Sequence, residues 1–277
     1  MLNRKVSVLD KGYVRLIDVM GSDLTAVNAA RASYMKESET LQGRDVRLLE
    51  YLIREGHTSP FRHAVVSFEI KAPLMVARQL FKYRVGHKHG PDSAELLGTA
   101  IPADLKDFVR TYLEEVLGFV GLGDDYGGED SLYARNEASR RYVTLEPEFY
   151  IPAIDQWRGA PGPGQSKQGS NGAIPAYQGG WLTARLAARV EEALEDYHEA
   201  LKLGVAPEQA RLFLPMYALY TTWRWTASLQ GVLWLLEQRL GQDAQSETRQ
   251  YAQAIRDLVT PYFPHTFTLW SGGRLNE

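Results

Sequence analysis

An α+β fold is predicted for this chain, an antiparallel sheet with helices packed over it in a single domain covering residues 1–277. Two observations predict it. Short runs of alternating apolar residues fall in the first quarter of the chain, as half-buried strands require. Beyond about residue 181 the apolar residues recur at helical spacing almost to the end. Strands gathered early and helices late suit a modest sheet with the helices segregated on it. With 277 residues, 44% hydrophobic and 23% charged, the chain has ample material for a core.

The elements follow in order. Val6 and Val8, then Val14, Leu16 and Val19, alternate around Asp10-Lys11-Gly12 and predict a β-hairpin. Ser22 or Asp23 caps a helix through Val27, Ala30 and Arg31. A second helix is expected over 45–55, ended by Gly56 in the left-handed conformation that glycine tolerates. His57-Thr58-Ser59-Pro60-Phe61-Arg62-His63 is expected as a loop, because Pro60 disfavours helix at Ser59. Val66, Phe68 and Ile70 mark a strand, and Pro73 opens a helix over 74–84. Residues 104–117 read as helical, with Leu105, Phe108, Val109, Tyr112, Leu113 and Val116 on one face. The stretch 159–172 is nearly all Gly, Pro, Gln and Ser and is expected as a surface loop. Four helices are expected after it: from Trp181 through His198, from Pro207, and over 222–240 and 244–259.

Composition removes several chemistries. The chain has no cysteine, which excludes disulfides, cysteine-ligated zinc and a thiolate nucleophile. A net charge of −3 gives no overall reason to expect nucleic acid or an anionic membrane as partner, so an anion site must be a local cluster of cations. Neither a signal-length apolar core at the start nor a membrane-length run later is present, and a cytoplasmic protein is expected. His87 and His89 lie two apart and would not share a helix face, so no metal site is expected.

Two stretches concentrate polar chemistry. In Arg78-Gln79-Leu80-Phe81-Lys82-Tyr83-Arg84 a helix would place Arg78 beside Lys82 and Gln79 beside Tyr83. Such a face suits a phosphate, and equally a solvated basic surface. In Tyr133-Ala134-Arg135-Asn136-Glu137-Ala138-Ser139-Arg140-Arg141-Tyr142, three arginines, a serine, an asparagine and a carboxylate could clamp an anion and orient a polar ring, with Glu137 holding a cation or accepting a ribose hydroxyl. Alone it could also be an exposed charged turn.

Together these stretches resemble the signature of flavin-dependent thymidylate synthases, R-H-R, a short spacer, then S-x-N-E-x-S-x-R-Y. Further likenesses follow in order along the chain: Leu9-Asp10-Lys11-Gly12, Asp18-Val19-Met20-Gly21, Gly56-His57-Thr58-Ser59-Pro60-Phe61, Glu148-Phe149-Tyr150-Ile151-Pro152, Ala210-Arg211-x-x-Leu214-Pro215, Trp225-Thr226 and Gln250-Tyr251-Ala252. The resemblance implies reductive methylation of a uridine monophosphate at C5, with FAD as cofactor and 5,10-methylenetetrahydrofolate and NADPH as co-substrates. It puts the nucleotide among Gln79, Arg78, Glu137, Ser139, Arg140, Arg141 and Arg211, and Arg239 against the uracil ring, where a cation stabilises ionisation at N3. Arg239 and Ser139 are thereby the catalytic candidates, Ser139 as an anion ligand because no histidine is near in sequence to activate it. Ser59, Lys82, Tyr83, Arg84, Asn136, Glu137 and Ser228 match flavin-contacting positions. A homotetramer with active sites shared between subunits is also implied, with no nucleic acid or membrane as partner. The missing cysteine agrees with this chemistry, since the flavin route needs no thiolate addition at C6.

The sequence departs from the family in places. Lys82-Tyr83-Arg84 stands for R-H-R, Arg62 replaces a glutamate, and Ser228 and Trp234 align where asparagines are usual. Inserts over about 86–132 and 159–174 are the largest departures. Loops added around a site alter substrate selection while the scaffold stays. The chain therefore looks like relatives that methylate UMP in nucleoside-antibiotic biosynthesis. A housekeeping enzyme acting on dUMP, and a catalytically inactive relative that only binds nucleotide or flavin, are the alternatives.

Overall fold

The computed structural model describes residues 2–83, 133–137, 146–163 and 169–272. The hairpin forms as alternation requires, β1 (Lys5–Val8) pairing antiparallel with β2 (Gly12–Met20). Glycine is demanded at its turn by crowding. A Cβ on Gly12 would lie 1.9 Å from the Tyr251 hydroxyl. That hydroxyl is fixed by donating to the Lys71 carbonyl at 2.7 Å. Val14 and Leu16 are fully buried. The pairing shifts register between Leu16 and Asp18, which lets Val19, three residues on, still pack against the core.

The sheet runs β1-β2-β3-β5-β4, with every described neighbouring pair antiparallel. β3 (Val65–Pro73) is central and buries Val66, Phe68, Ile70 and Ala72 completely. β5 (Tyr220–Ser228) lies beside it, with Phe68 opposite Trp225 and their rings stacked at 5.4 Å. β4 (Tyr133–Glu137) forms the edge, placing Asn136 opposite Arg224.

The helix expected over 222–240 is two elements. β5 occupies its first half, because Thr221, Thr222, Trp223, Trp225 and Thr226 are β-branched or aromatic and fit a pleated surface. Trp223 and Trp225 are 2% and 3% exposed, with exposed Arg224 between them. Ser228 then caps a buried helix, Leu229–Arg239.

Elsewhere α1 (Asp23–Arg31) and α2 (Gly43–Arg54) form near their expected bounds, and Gly56 takes φ +68°. The expected loop after Gly56 is a 3₁₀ turn, Ser59–His63, which Pro60 can open because its missing N–H costs nothing there. α3 (Leu74–Leu80) follows β3 with Pro73 as its cap, and stops four residues short of the expected end. Lys82 is thus beyond the helix, and the predicted Arg78–Lys82 pairing on one face is not made by regular helix. The long helix α4 (Ala176–Lys202) starts five residues before Trp181, α5 (Pro207–Ala210) is one turn, and Leu229–Arg239 is α6. α7 (Ser246–Val259) matches the last expected helix, and α8 (Pro264–Gly272) was not expected. The described parts of 159–172 contain neither helix nor strand, and the predicted helix over 104–117 lies outside the described residues.

Asp23 ties the two ends of the described chain together. Its buried carboxylate accepts from the backbone N–H of His265 and Thr266 at 2.9 and 3.1 Å and from the Thr266 hydroxyl at 2.5 Å. Those N–H groups are the unpaired donors of the first turn of α8. The main core holds the sheet with α1, α2, α3, α6, α7 and α8, whereas α4 packs on a smaller cluster of Phe149, Val190, Tyr197, Ala200, Ala210 and Leu214.

Candidate active site

The two polar stretches, some fifty residues apart in sequence, meet at the β4 edge. The Arg135 guanidinium lies over the Phe81 ring at 3.8 Å, and Phe81 meets Trp223 of β5 edge-on at 5.0 Å. Arg135 is therefore held by a cation–π contact with a ring the core has already fixed. Two residues on, Glu137 accepts from the Thr221 hydroxyl at 2.6 Å. Asn136 and Glu137 are exposed, as are Arg78, Lys82 and Ser59. Arg84, Ser139, Arg140 and Arg141 lie outside the described residues.

Just past α3, Tyr83 is 6% exposed and faces the last residue of α6, with the Arg239 guanidinium carbon 5.4 Å from its ring centroid. Burial pushes the Tyr83 phenol upward, opposed by the charge and hydrogen bond of Arg239. The phenol is thus neutral at ordinary pH. Arg239 also sits at a helix C-terminus, where a cation is favoured. Its Nε is buried and has no hydrogen-bond partner among the described residues. A half-buried cation with one desolvated, unspent donor is suited to an electron-rich oxygen or an anion.

Arg211 has the same character on another element. It opens the 3₁₀ turn Arg211–Phe213 after α5, half-buried, with Nε buried and unpartnered among the described residues. Its neighbours Ala210 and Leu214 belong to the smaller cluster, whereas Tyr83 belongs to the main one.

Gln79, on the last turn of α3, is engaged by the residue that caps α7. Its Nε2 donates to Gln245 Oε1 and, at 3.5 Å, to the Met75 carbonyl. Gln245 Nε2 donates to Glu247 Oε2 at 3.0 Å. Glu247 is 3% exposed, and its two oxygens accept from Arg158 at 2.6 and 2.7 Å. Burial favours protonation of this carboxyl, but the hydrogen bonds from Arg158, its own backbone and Gln245, with the Arg158 charge, hold it below the usual range. Gln245, Glu247 and Arg158 were not expected from the sequence. The available signal was a buried-side glutamate, next to Gln250-Tyr251-Ala252, in the first turn of an amphipathic helix.

Ser228 has a structural task. The expectation of a flavin contact meets a residue 3% exposed whose hydroxyl accepts from the Gly231 N–H at 3.1 Å, the geometry of a helix cap. Ser228→Ala is expected to cost about 1 kcal/mol of stability, read by denaturant unfolding, with flavin content unchanged.

The donors present fit a flavin and a nucleotide. Lys82 and Asn136, both exposed, adjoin the Phe81–Arg135 contact in the chain, Ser59 offers an exposed hydroxyl on the 3₁₀ turn, and Arg211 and Arg239 carry buried donors without partners among the described residues. An open cavity of about 750 Å³ between β1 and α7, lined by Val6, Asp10, Gln156, Arg249 and Asp257 among others, contains none of the expected residues. No cluster of three metal-binding side chains exists among the described residues, and no described helix is long and apolar enough to cross a membrane.

Comparison with known proteins places the chain in a family. The family model for thymidylate synthase complementing protein matches residues 15–90 and 132–265, leaving out a stretch inside the expected insert at 86–132. The flavin-dependent thymidylate synthase of Thermotoga neapolitana is 34% identical over 263 residues, covering 95% of this chain and 92% of that protein. That of Thermus thermophilus is 34% identical over 259 residues, covering 94% and 75%. The UMP/dUMP methylase PolB from Streptomyces cacaoi, bound with 5-Br dUMP, superposes with a TM-score of 0.70 at 23% identity, covering 96% of this chain and 97% of that one. The same protein bound with 5-Br UMP gives 0.68 at 22% identity. At that identity the likeness is one of fold. With its signature residues, its sheet and more than two thirds of its length matched, the chain belongs to the flavin-dependent thymidylate synthase family of FAD-dependent methyltransferases.

Proposed function

We propose that this enzyme methylates C5 of a uridine monophosphate, with UMP the favoured substrate, using 5,10-methylenetetrahydrofolate and NADPH with FAD bound. The C5 hydrogen leaves as a proton, the folate's one-carbon unit ends as a methyl group, and tetrahydrofolate and NADP⁺ are released. FAD, when bound, supplies the hydride-carrying chemistry. The protein's part is position and electrostatics.

The observation that carries this reading is Arg239, held on the buried Tyr83 phenol with its Nε unspent. Set against a uracil, this cation stabilises negative charge on N3 and its neighbouring carbonyl oxygen, the activation that a thiolate would otherwise provide. The chain has no cysteine for that alternative. Gln79 and Arg211, with Ser139 and Arg141, take the phosphate. Arg78 and Arg140 add cations, and Glu137 accepts from the ribose. Ser59, Lys82, Tyr83, Arg84, Asn136 and Glu137 line the flavin.

A homotetramer with shared sites belongs to the same proposal. Leu212, Phe213, Met216 and Tyr217, between 52% and 83% exposed, form an apolar run directly after Arg211. Such a surface on a folded protein marks an interface. Covering it with a second copy would bring Arg211, which sits on the smaller cluster, to a site built on the larger one.

The ribonucleotide is favoured by the two inserts, and PolB, of the same fold, is a UMP/dUMP methylase. A housekeeping role on dUMP is the second reading, favoured by the 34% identity to flavin-dependent thymidylate synthases. Expression in a bacterial strain that lacks thymidylate synthase and requires thymidine separates the two. The favoured reading expects weak or no growth without thymidine, whereas full rescue would give dUMP the leading place.

A further inference from the structure

Gln79 does not stand alone. A chain of hydrogen bonds runs from it through Gln245 to Glu247 and ends on Arg158, crossing from α3 to the start of α7 to the segment before α4. Each link fixes the next. A carboxylate at 3% exposure must be paired, and one guanidinium nitrogen of Arg158 pairs it, reaching both oxygens. The carboxylate can only accept, so Gln245 turns its Nε2 toward Glu247 and its Oε1 toward Gln79. Gln79 must then present its own Nε2 to Gln245. Its second amide hydrogen meets the Met75 carbonyl only at 3.5 Å, the limit of a hydrogen bond, and is the one left to give.

The other end of the chain is tied to the glycine-rich stretch. Arg158 Nε donates to the Ser170 hydroxyl at 2.9 Å, and its NH1 to the Gln156 carbonyl at 3.0 Å. The backbones on either side are zipped, with Arg158 bridging Ala173, Gly159 N–H donating to Gly172 O at 3.0 Å and Asn171 N–H to Gly159 O at 2.9 Å. One guanidinium therefore holds both the base of the second insert and the buried carboxylate.

We propose that Glu247 and Gln245 are positioning residues that set the amide of Gln79 for the nucleotide phosphate, and that Arg158 makes the second insert part of that setting. The proposal rests on Gln79 being a phosphate ligand. Its physical content is pre-organisation: an amide held in one orientation loses less freedom on binding than one that can turn over. No step of the chemistry passes through these residues, so they act on nucleotide affinity and leave turnover alone.

The test uses the FAD-loaded full-length enzyme, with Kd for UMP and dUMP from isothermal titration and kcat measured in parallel. Gln245→Met keeps the length of the side chain and removes both hydrogen bonds. It is expected to weaken nucleotide binding roughly tenfold with kcat within about twofold. Glu247→Gln keeps an acceptor for Gln245 and is expected to lose less. If Gln245→Met does not fold, Glu247→Gln decides, with a measurable loss of affinity at unchanged kcat supporting the relay and unchanged affinity overturning it. Gln79→Met separates the two levels. If it leaves affinity unchanged, the phosphate reading of Gln79 fails. If it weakens binding while Gln245→Met does not, the relay fails and the phosphate reading stands. With both intact, the double variant binds no worse than Gln79→Met alone, whereas additive losses would show two independent effects and overturn the proposal.

Discussion

Arg239→Ala should lower methyl transfer by about 10²–10³-fold, the cost of losing one pre-organised electrostatic donor in an active site. The protein should still purify with flavin bound, visible in its flavin absorbance, because the expected flavin contacts lie on Ser59, Lys82 and Asn136 rather than on this side chain. The size of the effect follows from Arg239 having been partly desolvated in advance. Its guanidinium lies on the buried Tyr83 ring, and its Nε has no partner among the described residues. Charge developing on the uracil would meet a cation that needs no reorganisation. Arg239→Lys should recover part of the rate, since it restores charge without the planar fork that the Tyr83 contact orients. Normal turnover in Arg239→Ala would place the uracil elsewhere.

For Arg211→Ala the loss should fall on binding. A buried donor that gains a phosphate oxygen makes a charge-assisted hydrogen bond, worth about 1.5–3 kcal/mol. Its removal should raise the KM for nucleotide roughly 10- to 100-fold while kcat changes little. The contrast with Arg239 is informative because the two arginines share a buried, unpartnered Nε among the described residues yet stand on different packing clusters. If Arg211→Ala lowered kcat and left KM alone, Arg211 would belong to the chemistry and its separation from the phosphate group of residues would need another explanation.

Much of the fold could be read from local pattern. The β1–β2 hairpin, α1, α2 with its glycine stop, and β3 are each specified by periodicity and a turn or cap residue within the same few positions. The boundary at Ser228 was missed because both halves of 222–240 are apolar, and only the change from period two to period 3.6 separates the strand from the helix. β4 escaped because an edge strand reading Tyr-Ala-Arg-Asn-Glu carries no apolar alternation, and its pairing with β5 is a tertiary fact. The site divides along the same line. Motif likeness pointed to Tyr83 and Arg239 separately, and only folding sets one against the other. Gln245 and Glu247 are ordinary helix-start residues until Arg158, some ninety positions away, is brought to them. Arg84, Ser139, Arg140 and Arg141 fall outside the described residues, so their placement rests on the family signature.

The most direct test of the central claim is tritium release from C5-labelled UMP and dUMP, run side by side with FAD, NADPH and 5,10-methylenetetrahydrofolate. Methylation at C5 cannot occur without losing the label, and the absence of cysteine removes exchange by a thiolate added at C6. Release is expected from both nucleotides or from UMP alone, faster from UMP and dependent on the folate. Release from dUMP only would return the enzyme to ordinary thymidylate synthesis, and release from neither by a flavin-loaded protein would contradict the assignment of a methyltransferase.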